Sequence, residues 1–297
     1  MQCTHDSWAL HWGATILTVG RLMNALGGRR AKPSNDGYDV YLIAGQSNAL
    51  GAGVTDFDPH LDRADSMVHQ FAGCGRKAGQ ILEGTHPLWH FTRATGVGFG
   101  VEFGNRAAGA SGKHVLLVPT ARGETGFFPH NGFTWDPNDK SGAVNLFEFA
   151  CRQLSKALAT HPANRLRGVL WHQGEADTWH LELDEYAAML DHLIVGFRTR
   201  FGEVPFIIGQ MSPDRMSEGL AEGIVGYPKI DAAHRDTPRR MSLTAFVEAP
   251  AGLYNSANDK VHFSAAGQRE FGLRYFEAYQ QLASGARHRG DIGRAIS

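Results

Sequence analysis

Five short apolar runs, each ending abruptly on small or polar residues, constrain this chain more than any other feature. They are Tyr38–Ala44, His114–Pro119, Leu166–Trp171, Val204–Gln210 and Met241–Val247. Short runs rich in Val, Ile, Leu and aromatic residues read as strands buried on both faces. Between and after them lie stretches with helical spacing. Phe103, Ala107 and Ala110 share one side of Val101–Ala110, and Leu146, Phe149, Ala150, Leu154 and Leu158 one side of Ala143–His161. Ala187, Leu190, Leu193, Ile194 and Phe197 do the same in Leu183–Phe201, and further helices are predicted around Ile230–Arg235 and over Ala265–Leu282. Strands alternating with amphipathic helices predict an α/β domain, a parallel sheet covered on both sides.

One domain, residues 38–284, accounts for this pattern. Residues 1–37 read as a poorly ordered leader and linker, ending in the breaker-rich run Gly27–Gly37, and residues 285–297 as a polar tail. Ala9–Leu26 is moderately apolar but contains His11, Arg21 and Asn24, with no basic leader before it and no clean cleavage site after it. It therefore reads as a loosely attached leader, and a cytoplasmic location is expected ahead of export. Gly51–Gly98 is dense in Gly, Asp, His and Pro and reads as an active-site insertion with little regular structure.

Composition narrows the function. A formal net charge of −1 with no block of one sign argues against a nucleic-acid or membrane-surface partner. No run of about 18 apolar residues predicts a spanning helix. Cys3, Cys74 and Cys151 are too few and scattered for a disulfide framework. No cofactor or metal is expected. Gly96, Gly98 and Gly100 do not complete a dinucleotide fingerprint, Gly112-Lys113 runs into His114, and Pro87 separates His86 from His90.

Chemistry concentrates where strands end, as functional groups do in parallel sheets. Ser47 follows the first run, Gly123 the second and Gln173 the third, while Asp259-Lys260-Val261-His262 lies beyond the fifth. Acyl transfer gives each a task. Ser47 attacks a carbonyl, His262 takes and returns the proton, and Asp259 fixes the imidazole tautomer. The N–H groups of Ser47 and Gly123 and the Gln173 amide are candidate oxyanion donors. Each residue has a bland reading as well: Ser47 as a turn or N-cap residue, Gln173 as a helix or water contact, Asp259 and His262 as the entrance to the last helix. Glu175 and Asp177 form either a glycosidase-type carboxylate pair or, the preferred reading, a loop brace and a helix cap.

The blocks Gly45-Gln46-Ser47-Asn48, Trp171-His172-Gln173-Gly174-Glu175 and Asp259-Lys260-Val261-His262 resemble those of the SGNH hydrolases. The nearest branch is the sialate O-acetylesterase-like group, which includes the carbohydrate esterase family 6 acetyl xylan esterases. Ala121-Arg122-Gly123-Glu124-Thr125 resembles that group's Ala-x-Gly-Gly-Thr block, and the likeness extends over about Tyr38 to Leu282. The resemblance implies a three-layer α/β/α sandwich with a flavodoxin-like parallel sheet of about five strands. It implies a Ser47–His262–Asp259 triad, an oxyanion hole at Ser47, Gly123 and Gln173, and supporting roles for Gln46, Asn48 and Glu175. Glu124 in place of the second glycine, with Arg122 beside it, is a departure that bears on acyl or sugar recognition, and Trp135 is a further candidate for sugar contact. The expected substrate is an acetylated carbohydrate or another small ester. The alternatives are a carbohydrate-binding protein on an esterase scaffold, or an SGNH lipase or thioesterase.

Overall fold

The computed structural model describes residues 28–54, 56–92 and 96–295. Its centre is strand β1 (Asp39–Gly45), buried at all seven positions. Side chains alternate across a strand, so β1 supplies two cores. Val40, Leu42 and Ala44 face one layer, built on α3 (Leu146–Leu158), α4 (Leu183–Phe201) and α6 (Gly226–Arg240). Tyr41 and Ile43 face the other, where α2 (Phe99–Ser111) packs beside α7 (Ala265–Ala295) through Phe99, Phe103, Phe271 and Tyr275. Burial on both sides is why the run is apolar throughout instead of alternating.

Strands β2 (Val68–Phe71), β3 (Ile81–Glu83), β4 (Val115–Pro119), β7 (Arg165–His172), β8 (Phe206–Gly209) and β9 (Thr244–Val247) complete a seven-stranded sheet of order β3-β2-β4-β1-β7-β8-β9. All pairings are parallel except β2 with β3. The five strands read from the sequence are β1, β4, β7, β8 and β9. Their direction of propagation reverses beside β1, which opens a crevice at the carboxyl ends of β4, β1 and β7. Two small sheets accompany the large one: β5 (Phe133–Thr134) with β6 (Val144–Asn145), and the hairpin β10 (Tyr254–Ser256) with β11 (Asp259–Phe263).

The structure departs from the sequence pattern at several places. The 51–98 segment is mainly irregular, as expected, yet it also supplies β2 and β3 and so makes seven strands out of the expected five. Four and three residues are too few for a strand period to stand out among glycines and prolines. The end of the supposed linker is ordered, because Ala31 donates to the Ile81 carbonyl (3.1 Å) and Arg29 accepts from Glu83 N–H (3.0 Å), covering the β3 edge. Residues 1–27 lie outside the described residues. Helix α7 does not stop near Leu282 but continues to Ala295 through the supposed tail. A helix not anticipated, α5 (Pro213–Ala221), precedes α6. Cys151 is a free buried thiol, whereas Cys74 is disulfide-bonded. Among the described residues no helix is long and apolar enough to cross a membrane, and no His, Cys, Asp and Glu cluster could hold a metal ion.

Candidate active site

The end of β1 is built around a backbone that only glycine adopts. Gly45 has φ +125°, and a Cβ there would lie 1.9 Å from the His172 carbonyl oxygen of β7. The sharp exit lets Gln46 N–H bond that same oxygen at 2.8 Å. Ser47 then starts a single helical turn, α1 (Ser47–Leu50), which Gly51 ends in the left-handed region.

Asn48 joins the parts of the site. Its Nδ2 donates to Glu175 Oε1 (3.1 Å) and to the Val261 carbonyl (2.9 Å), and its Oδ1 accepts from Phe263 N–H (3.2 Å). The residues on either side of His262 are therefore bonded to the residue that follows Ser47. His262 belongs to β11, which Ser264 alone separates from the last helix. Its Nδ1 is 3.0 Å from both carboxylate oxygens of Asp259, so the ring carries its proton on that nitrogen and leaves Nε2 as the acceptor. Asp259 also accepts from Asn255 Nδ2 (2.9 Å) and from His262 N–H (3.2 Å). Burial raises the pKa of Asp259, but the bonds and charge of His262, with the Asn255 amide, prevail and hold it at about 2. The hairpin leans on α5 through Lys260–Glu218 (3.2 Å) and through Gly252 N–H to Asp214 (2.8 Å).

On the other side of Ser47 stands the loop after β4. Thr120 N–H bonds the Ile43 carbonyl (2.9 Å) and Arg122 N–H the Gly45 carbonyl (3.1 Å), fixing this loop to the end of β1. A Cβ on Gly123 would sit 4.0 Å from Ser47 Cβ, so the glycine borders the serine. Arg122 is buried, its guanidinium 3.6 Å from the centre of the Phe133 ring with Nη1 donating to the Gly123 carbonyl (2.9 Å). It shapes the loop from inside. Glu124 is exposed at φ +54° and accepts from Asn131 (3.2 Å).

Two expectations fail on burial. Trp135 is 0% exposed, with its indole N–H on Thr125 Oγ1 (3.1 Å) and its ring edge-on to Trp171, so it packs the core and offers no face to a sugar. Gln173 is also 0% exposed. Its amide nitrogen contacts Asp177 Oδ2 (2.8 Å), Thr125 O (3.2 Å) and Gln46 Oε1 (3.2 Å), and its Oε1 accepts from Tyr186 Oη (2.9 Å). Two amide hydrogens facing three internal acceptors leave none for a substrate oxyanion. Gln173 positions the surrounding turns instead.

Asp177 is likewise no helix cap. It accepts from Phe127 N–H (2.9 Å) and Phe128 N–H (3.0 Å), tying the β7 turn to the β4 loop, while Glu182 caps α4. Burial raises its pKa to about 6 against the lowering effect of these donors. His234 extends the buried network through Tyr186 Oη (2.8 Å). His172 bonds the Gln210 carbonyl (2.9 Å), and burial lowers its pKa, so it stays neutral as packing. Asn255, Tyr186 and His234 carry no local sequence signal; their partners lie on other elements, and only proximity in the fold reveals them.

The family described as carbohydrate esterase, sialic acid-specific acetylesterase matches residues 37–281. Among solved structures, NanS superposes with a TM-score of 0.69 at 20% identity, covering 86% of this chain and 100% of its own. A protein from Arabidopsis thaliana gives 0.65 at 22% identity, over 82% and 98% of the two chains. A carbohydrate acetylesterase from Xanthomonas citri gives 0.61 at 18%, over 83% and 56%. No curated protein matches in sequence.

Proposed function

The chain belongs to the sialic acid-specific acetylesterase family of carbohydrate esterases, and from that premise we propose that it removes small acyl groups, acetyl foremost, from a carbohydrate through an acyl-enzyme on Ser47. It is a carboxylic ester hydrolase, and the finer reading rests on one observation. Asp259 holds His262 by Nδ1 while Asn48, next to Ser47, bonds both neighbours of that histidine.

Ser47 Oγ attacks the ester carbonyl as His262 Nε2 takes its proton. The carbonyl oxygen becomes an oxyanion, received by the backbone N–H groups of Ser47 and Gly123, each worth about 3–4 kcal/mol of barrier. As the tetrahedral intermediate collapses, His262 returns the proton to the leaving sugar hydroxyl. Water then repeats the sequence on the acyl-enzyme, releasing the carboxylic acid and free Ser47. Asp259, ionised down to about pH 2, stabilises the transient imidazolium in both halves.

The test is Ser47→Ala assayed on p-nitrophenyl acetate, with fluorophosphonate labelling of the unaltered enzyme. Turnover should fall about 10⁴-fold or more, and the label should attach to Ser47. Retained turnover would refute the nucleophile. Absence of labelling on a folded protein would favour a carbohydrate binder on an esterase scaffold.

A further inference from the structure

We propose that Trp179, His180 and Phe128 form a second carbohydrate subsite, which takes a sugar unit other than the one bearing the scissile ester. The proposal rests on the carbohydrate esterase reading and deepens it: the substrate is an oligosaccharide or polysaccharide chain, not a free acetylated sugar.

Trp179 is 67% exposed, whereas the other tryptophans of the described residues, Trp89, Trp135 and Trp171, are all at 5% or less. Holding an indole in water forgoes a large burial gain, and such exposure marks a surface awaiting an apolar face. Phe128, itself 43% exposed, stacks on the His180 imidazole with ring centroids 4.4 Å apart and planes within 11°. Beside them is a cavity of about 250 Å³ lined by residues 178–182, 223–226 and Lys229. That is below the usual range for a drug-sized ligand and suits a single sugar ring. Its two walls approach closely at Gly226, where a Cβ would lie 1.7 Å from the Thr178 carbonyl oxygen.

The lining is mixed, and this selects the ligand. A pyranose shows an apolar C–H face and an edge of hydroxyls, so it needs an aromatic platform next to donors and acceptors. Lys229 Nζ supplies donors on the wall, and the Glu182 carboxylate, ion-paired with it at 2.6 Å, supplies acceptors. Hydrogen bonds tie the subsite to the catalytic machinery. Trp179 follows Thr178, whose Oγ1 bonds the Glu175 carbonyl (2.9 Å), and Glu175 bonds Asn48 (3.1 Å). Four residues span at most about 14 Å, so Trp179 lies no farther than that from Glu175, whose carboxylate bonds Asn48 next to Ser47. Phe128 joins the same unit because its N–H is bonded to Asp177 (3.0 Å).

The experiment compares kcat/KM of the unaltered enzyme, Trp179→Ala and Trp179→Phe on an O-acetylated xylotriose and on O-acetylated xylose, with p-nitrophenyl acetate as reference. The trisaccharide-to-monosaccharide ratio should fall about tenfold in Trp179→Ala, through KM, and largely recover in Trp179→Phe. An unchanged ratio would overturn the subsite, including the case in which all substrates decline together. A concentration-dependent dimer of the unaltered protein that Trp179→Ala dissolves in sedimentation velocity would assign the patch to a second copy and also overturn it. If the unaltered enzyme cleaves p-nitrophenyl acetate but neither these sugars nor O-acetylated sialic acid, the carbohydrate reading itself falls and takes the subsite with it.

Discussion

Asp177 shows how much one buried side chain arranges here. Its carboxylate gathers Phe127 N–H, Phe128 N–H and the Gln173 amide, and so couples the turn after β7 to the loop that carries Gly123. Burial nonetheless disfavours its charge and raises its pKa from 3.8 to about 6. A carboxylate whose folded pKa is raised stabilises the fold fully only below its unfolded value, and that contribution is lost as pH rises through the folded one. Relative to Asp177→Asn, the unaltered protein should therefore lose about 3 kcal/mol of unfolding free energy between pH values below 4 and above 6. Urea melts of the pair across that range measure it; parallel pH curves would exclude the titration.

The decisive element is β1 with its exit into α1. Gly45 combines φ +125° with a site where a Cβ meets the His172 carbonyl oxygen, so strain and overlap coincide. Gly45→Ala should cost about 2–6 kcal/mol from these two sources, visible as a large fall in melting temperature. Esterase activity of any folded fraction should fall as well, because Ser47 is two residues away; a variant of unaltered stability and activity would contradict the account. The large elements were legible in sequence because their residues obey a single period. The five core strands and the helix Leu183–Phe201 stand where apolar spacing put them. The short β2, β3, β10 and β11 were not legible. Each has five residues or fewer, too short for a strand period to show.

At the scale of the whole molecule, the interior is stocked with neutral histidines. Burial lowers His86, His90 and His234 to about 3, and neighbouring charges push in the same direction. A depressed folded pKa gives stability that is present above the unfolded value near 6.5 and lost as pH falls toward the folded one. By pH 4 each histidine accounts for about 3 kcal/mol, and the three together reach the usual total stability of a domain. The opposite trend of Asp177 is smaller. The protein should therefore unfold on acidification before about pH 4, as followed by circular dichroism. A fold intact at pH 3 would show that these rings can be protonated in place.

Sequence alone determined the layered α/β architecture, the parallel core strands and the blocks that carry Ser47, Gly123, Asp259 and His262, because periodicity and abrupt strand ends are properties of neighbouring residues. Only the tertiary structure decided which polar groups are spent inside and which face a substrate. Gln173 and Trp135 belong to the interior and Trp179 stands exposed, though nothing in their immediate sequence separates these outcomes. Burial is set by what packs against a residue from elsewhere in the chain, and those contacts come into being only when the sheet has assembled and its loops have closed on one another.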